Sequence, residues 1–357
     1  MSEYFNNIHK ILIIATRQIG DVLLVTPLIH SIKKAHPDCI IDVLGYENKC
    51  QMLEGNQDIR RVIQISEKPR FKEFTDLVKR IFHQYDLSIT TLAGDKPHFY
   101  AWLAAKKRMG LIDKISWHTA WKRRSCQYWT LLDNVNTHTV LQNLKLLEPL
   151  NIPAIPSVIP PKAIDKPSLP KSRFTIVHPS PMWRYKEWTI AGWQAVVAHL
   201  LSKDLLVILT GANTEKDKKI CSQINKQLAC GKLINLAGRT HISELGYYLQ
   251  SAEFFIGPDT SITHMAAAIG CKTLALFGPS NVVKWGPFPA NYLTLENPYV
   301  KKAFPWQQKN NVVIIQGKDK PCLPCYEEGC DKHKQSQSDC LKELDPADVI
   351  RAIDFML

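Results

Sequence analysis

The sequence predicts an α/β protein built from two doubly wound, parallel-sheet domains that face one another across a cleft. Three observations carry that expectation. Short runs rich in Ile, Val and Leu alternate with helical patterns through most of the chain, and continuous apolar strands separated by helices read as parallel strands covered on both faces. The alternation halts once, at a proline-rich stretch, and then resumes on the same scheme. At 357 residues the chain also exceeds one typical hydrophobic core, which makes two domains the natural expectation.

Taken in order, the strand-like runs of the first half are residues 11–15 (ILIIA), 40–45 (IIDVLG), 62–65 (VIQI) and 87–92 (LSITTL). The first domain is therefore expected over residues 1–152. Residues 153–170 hold six prolines in eighteen positions. Proline lacks an N–H and fixes φ, so this stretch cannot continue a helix or a central strand, and residues 153–172 read as an extended linker. The second domain, expected over residues 173–344, repeats the pattern at 174–178 (FTIVH), 205–211 (LLVILTG), 233–238 (LINLAG), 254–257 (FFIG) and 273–278 (TLALFG). A short amphipathic helix over 345–357 places Val349, Ile350 and Ile353 on one face.

The composition, 45% hydrophobic and 22% charged with no low-complexity tract, is that of a folded soluble protein. No apolar run approaches the roughly 18 residues of a membrane span, and ILIIA before Arg17 is too short for a secretory signal. Both features point to the cytoplasm. The net charge of +12 favours polyanionic partners such as nucleic acid, acidic lipid or phosphorylated glycans, without choosing among them. The densest basic stretch, residues 106–124, sets Trp117 and Trp121 among its cations, and the faces of such rings bind bases or sugars. Six of the ten cysteines are scattered. Cys322, Cys325, Cys330 and Cys340 cluster, and their spacing permits a zinc site, a redox role or a reduced structural loop.

Two nucleotide-binding fingerprints are absent, GxGxxG and the Walker A loop. The polar residues fall instead at the carboxyl ends of predicted strands. Gly20-Asp21 follows the first strand, where Asp21 serves either as a helix cap or as a general base facing the cleft. His178-Pro179-Ser180, with Arg184 and Lys186 beyond, follows the first strand of the second domain, and a hydroxyl with cations there suits a diphosphate. Glu215 ends another strand, placed to accept from ribose hydroxyls. The run FFIGPDTSITHMAAAIG (254–270) opens a helix with Asp259, Thr260, Ser261, Thr263 and His264. A cap accounts for Asp259 alone, whereas free N–H groups and the positive end of the helix dipole suit a phosphate.

Six motifs in this order resemble the ADP-heptose:lipopolysaccharide heptosyltransferases, glycosyltransferase family 9: RQIGDVLLVTPLIHSIKKAHPDCIIDVL, HPSPMWRYKEW, LTGANTE, NLAGRTHISELG, GPDTSITHMAAAIGCKTLALFGPSN and the closing cysteine loop. The late CLPCYEEGC with SDC is similar to members called heptosyltransferase II or III. The resemblance implies a GT-B fold of two Rossmann-like domains. It also implies an ADP-heptose donor held by the second domain and a lipid A–core oligosaccharide acceptor held mainly by the first. On the matching positions Asp21 inherits the general-base role. Ser180, Lys186, Glu215, Thr240, Asp259, Thr260, Ser261 and His264 inherit donor binding. No cofactor is implied, and the transfer is inverting and metal-independent. Contact with the inner face of the cytoplasmic membrane is also expected, the basic stretch meeting acceptor phosphates or anionic lipid. A transferase or epimerase using another nucleotide sugar is the alternative on this architecture. A nucleic-acid-binding role is disfavoured, because no recognised module is present and the motifs sit at strand ends.

Overall fold

The structure, a computed structural model, describes residues 8–162, 166–228 and 230–357. The chain divides into two compact units, Met1–Pro161 with Leu293–Glu296 and Lys162–Tyr292 with Asn297–Leu357. The proline-rich stretch 153–172 forms neither helix nor strand where it is described, and its residues 163–165 lie outside the described residues. Its first part is pinned to helix Thr26–Ala35, for Ile155 N–H donates to Ser31 Oγ and Ile159 N–H to Thr26 Oγ1, both at 2.9 Å.

The first unit holds strands β1 (Lys10–Ala15), β2 (Ile40–Tyr46), β3 (Arg61–Ile65), β4 (Tyr85–Thr90), β5 (Ala105–Ile112) and β6 (Tyr128–Leu131) in the order β3-β2-β1-β4-β5-β6. Every pair is parallel. The registers set Ile13 of β1 against Val43 and Ile89, and after Lys10 this central strand is apolar and buried from Ile11 to Ala15. The second unit holds β7 (Phe174–Val177), β8 (Leu206–Leu209), β9 (Leu233–Asn235), β10 (Phe255–Pro258), β11 (Thr273–Leu276), β12 (Gln307–Lys309) and β13 (Val312–Ile315). Their order is β12-β13-β11-β10-β7-β8-β9, parallel except for the antiparallel edge strand β12. Leaving out that edge, the two sheets share one topology. The strand order reverses beside the first strand of each, between β1 and β4 and between β7 and β10. A crevice opens at the carboxyl ends of the strands at such a point, because the two adjoining crossovers leave to opposite faces.

Four strands were not anticipated. After Ala105, β5 carries Lys106, Lys107 and Arg108, which read as a solvated basic face, and its second half, from Met109 to Ile112, is buried. β13 is a buried VVII run whose partner across a hairpin, the short polar β12, carries no apolar alternation. β6 is half-buried at an edge. The C-terminal helix, expected over 345–357, spans Pro346–Met356 with Asp345 accepting from Ala347 N–H, and it buries Val349, Ala352 and Ile353 in the second unit's core. That core also takes in Trp188 and Trp193, whose rings meet edge to face with centroids 5.1 Å apart. Trp188 Nε1 donates to the carbonyl of Leu344. Among the described residues, no helix is long and apolar enough to cross a membrane.

Candidate active site

In the first unit, β1 ends at Ala15 and the chain turns at once, Arg17 N–H donating to Ala15 O at 2.9 Å. The helix that follows, Ile19–Leu23, has Gln18 as its N-cap, so Asp21 sits inside the first turn and is not the cap. Its carboxylate is 3.5 Å from the Arg17 guanidinium and about one-fifth exposed (19%). A small pocket lies at this point of strand-order reversal, walled by Ala15, Arg17, Asp21 and Val25 after β1, by Thr91 and Leu92 after β4, and by Thr139 and Asn143. Asn143 Nδ2 ties that last helix to Leu24 O at 3.1 Å. Thr91, Thr139 and Asn143 escaped the sequence reading because nothing near them in sequence marks them, and the topology alone gathers them round Asp21.

The second unit repeats the arrangement at β7 and β10. Lys186, in the short 3-10 turn Arg184–Lys186, sets its ammonium 2.6 Å from Asp259 Oδ2. Asp259 is buried, which alone would raise its pKa. The charge of Lys186, hydrogen bonds from Lys186 and Ser280 and, in acid, the charge of a protonated His264 outweigh that, and hold the carboxyl below its usual range. The next helix, Ser261–Ile269, is capped by Thr260, whose Oγ1 accepts from Thr263 N–H, rather than by Asp259. It ends on Gly270 at φ 92°, a left-handed conformation that glycine adopts without strain. Burial pushes His264 down to about 4, so its ring is neutral near pH 7. Its buried Nδ1 has no hydrogen-bond partner among the described residues, a state that calls for a ligand or water because buried polar atoms are nearly always paired.

The remaining sequence-predicted residues separate. Ser180 is buried and donates from Oγ to Asp217 Oδ1 at 2.9 Å. Thr214 Oγ1 at 2.7 Å and Ala212 N–H at 2.7 Å also donate to Asp217. Asp217, missed from sequence, thus binds the loop after β7 to the start of helix Glu215–Leu228. Its signal was the T-x-x-D spacing of Thr214 and Asp217, an N-terminal capping pair. Glu215 itself stands in solvent with its side chain 96% exposed and Lys218 Nζ 3.5 Å away. Thr240 lies half-buried in the turn before helix Ile242–Ser251. The structure therefore brings Lys186, Asp259, His264 and the Thr260-Ser261 helix start together. It commits the Ser180 proton to Asp217 and leaves Glu215 outside the cluster.

The cysteine loop packs behind that cluster. Ser338, buried, donates from Oγ to the carbonyl of Tyr185 at 2.6 Å, the residue before Lys186. Tyr326 N–H donates to Pro279 O at 3.0 Å, one residue before Ser280. Lys334 Nζ lies 4.7 Å above the Trp183 ring. Gly278 permits this close seating, since a Cβ there would come within 2.6 Å of Leu341. All four clustered cysteines are free thiols, Cys322 and Cys330 exposed and Cys340 buried. Burial, with smaller contributions from the neighbouring thiols, pushes Cys340 up to about 12. The zinc arrangement considered for Cys322, Cys325, Cys330 and Cys340 is not seen. Among the described residues, no group of three or more His, Cys, Asp or Glu side chains is placed to hold a metal.

Comparison with known proteins identifies the family and the fold. The chain is 27% identical over 295 residues to lipopolysaccharide heptosyltransferase 3 of Escherichia coli K12, covering 78% of this chain and 85% of that one. The solved structure of E. coli ADP-heptose lipopolysaccharide heptosyltransferase II matches with a TM-score of 0.70 at 18% identity, over 97% of this chain and 98% of the other. E. coli heptosyltransferase WaaC, solved with ADP, matches with a TM-score of 0.72 at 15% identity, over 98% of this chain and 100% of the other. At such identities the two structures speak for the fold, which is the GT-B architecture expected from the sequence. The pattern of glycosyltransferase family 9 (heptosyltransferase) matches residues 76–334, well over half of the chain, and the protein belongs to that family.

Proposed function

We propose that the protein transfers L-glycero-D-manno-heptose from ADP-heptose to a hydroxyl of the lipopolysaccharide inner core, with inversion and without a metal. Asp21 takes the proton of the acceptor hydroxyl as that oxygen bonds to the anomeric carbon. The bond from that carbon to the diphosphate oxygen breaks, and ADP leaves carrying the electron pair. Lys186 and the backbone N–H groups at 260 and 261 offset the charge growing on the departing diphosphate. Thr260 caps that helix start, His264 supplies a neutral ring nitrogen, and Asp259 orients Lys186, since a carboxylate repels phosphate. Ser180 shapes the loop after β7, while Glu215 and Thr240 take the ribose and adenine.

The observation that carries this reading is the Lys186 ammonium fixed 2.6 Å from buried Asp259 at the start of helix Ser261–Ile269, beside the strand-order reversal of the second sheet. Support also comes from the neighbour solved with ADP and from the lipopolysaccharide named for the E. coli relative. The acceptor is lipid-anchored, so the enzyme works at the cytoplasmic face of the inner membrane. The test supplies the purified protein with ADP-heptose and truncated lipid A–core acceptors and follows acceptor mass. One added heptose with release of ADP is expected. Transfer from another nucleotide sugar in preference to ADP-heptose overturns the donor assignment, and the truncation point of lipopolysaccharide from a strain lacking the protein identifies the acceptor hydroxyl.

A further inference from the structure

The first unit exposes an aromatic ridge that the transfer reaction does not use. Helix Phe71–Ile81 turns Leu77 and Ile81 inward, and helix Asp95–Ala104 buries Tyr100, Ala101, Leu103 and Ala104. Their outer faces carry Phe71 at 84% exposure, Phe99 at 41% and Trp102 at 49%, where a helix facing water places Lys or Glu. The rings are ordered into a ladder. Phe74 lies 6.2 Å from Phe99, and Phe99 lies 6.0 Å from Trp102, each pair within 14° of parallel.

The ridge adjoins the most basic segment of the chain. Trp121, on helix Ala120–Ser125, sets its ring edge to face against His98 at 6.2 Å and so joins the two regions. Residues 106–124 hold seven Lys and Arg against the single carboxylate Asp113; of these Lys122 is buried and paired with Asp95 and Asp113. Lys106, Lys114 and Arg124 among them are exposed. Aromatic rings beside cations match the boundary between water and an anionic bilayer, where rings sit at headgroup depth and each cation is drawn to the negative surface.

We infer that this face docks on an anionic lipid bilayer, with Phe71, Phe99 and Trp102 entering the headgroup layer and the exposed cations Lys106, Lys114 and Arg124 meeting lipid phosphates. Charge selects this occupant over a second copy of the chain, because a twofold pairing through the ridge would bring two basic segments together. The inference names the contact surface for the membrane-facing enzyme proposed above, and it rests on that reading only for its purpose, since the ridge and the charge stand without it.

The experiment floats the full chain with phosphatidylethanolamine vesicles containing phosphatidylglycerol and with phosphatidylcholine vesicles, at low and high salt, without donor or acceptor. Binding to the anionic vesicles alone, weakened by salt, is expected. Phe99→Ser with Trp102→Ser should lower partitioning by about tenfold or more, as should Lys106→Glu with Arg124→Glu, with ADP affinity and melting temperature unchanged. Equal binding to both vesicle types, or none, overturns the inference. So does a self-association in ultracentrifugation that the aromatic substitutions abolish. Because no sugar is present, a negative result leaves the transferase reading standing. Failure of heptose transfer with vesicle binding intact overturns only that reading.

Discussion

At the scale of single residues, the two predicted chemical roles separate by what each removal costs. Asp21→Asn keeps the shape of the pocket and removes the base, so turnover should fall by ~10² to 10⁴ while calorimetry shows ADP binding unchanged. Turnover within tenfold of wild type rejects that role. Lys186→Met should weaken ADP by roughly ten- to a hundredfold and slow transfer as well, since a charge-assisted bond acts before and during bond breaking. It also leaves Asp259 buried without its cation, which destabilises the fold on its own account. Lys186→Met with Asp259→Asn should recover the melting temperature but not the ADP affinity, and recovery of both would make the pair purely structural. These residues were legible because each stands just beyond a strand whose apolar run is visible in sequence. The cap of the 261–269 helix was less so, because Asp259 and Thr260 are both good capping residues and only the Lys186 ion pair decides which is otherwise engaged.

At the scale of elements, the cysteine loop behaves as a brace for the residues that precede Lys186 and Ser280. Ser338→Ala removes the bond to Tyr185 O, and a part-buried carbonyl left unpaired costs on the order of 1 kcal/mol. ADP should then bind about five- to tenfold more weakly, read by calorimetry against an unaltered acceptor KM. An unchanged ADP affinity would show that the brace does not reach Lys186. Sequence could not reveal this contact, for Ser338 and Tyr185 are 153 residues apart, in two motifs whose pairing only the fold sets. The central strands were readable because a buried parallel strand is apolar throughout. β5 was not, because three cations at its start disguise the buried half that follows.

At the scale of the whole molecule, the recurrence of one topology in both sheets explains why polar motifs fall at corresponding strand ends, β1 and β4 in one unit and β7 and β10 in the other. The second unit also buries two neutral histidines, His178 and His264, each pushed down by burial to about 4. A histidine with a depressed folded pKa contributes stability that is fully present above its unfolded value of about 6.5 and is lost as pH falls through the folded value. Stability should therefore drop between pH 6.5 and 4, by roughly 3 kcal/mol for each histidine. Chemical denaturation at pH 7, 5.5 and 4.5 measures it, and His178→Gln should flatten the curve. An unfolding midpoint independent of pH across this window rejects the assignment of neutral buried rings.

The edge-on pair of Trp188 and Trp193, 5.1 Å apart and 76° from parallel, has an optical consequence. Two indole chromophores held rigidly at that separation couple their excited states and give a strong near-ultraviolet circular dichroism signal. One of them is tethered through its Nε1 to Leu344 O, just ahead of the final helix. The band thus reports whether the C-terminal helix is seated, and a chain cut after Leu344 should lose much of it before the far-ultraviolet spectrum of the sheets changes.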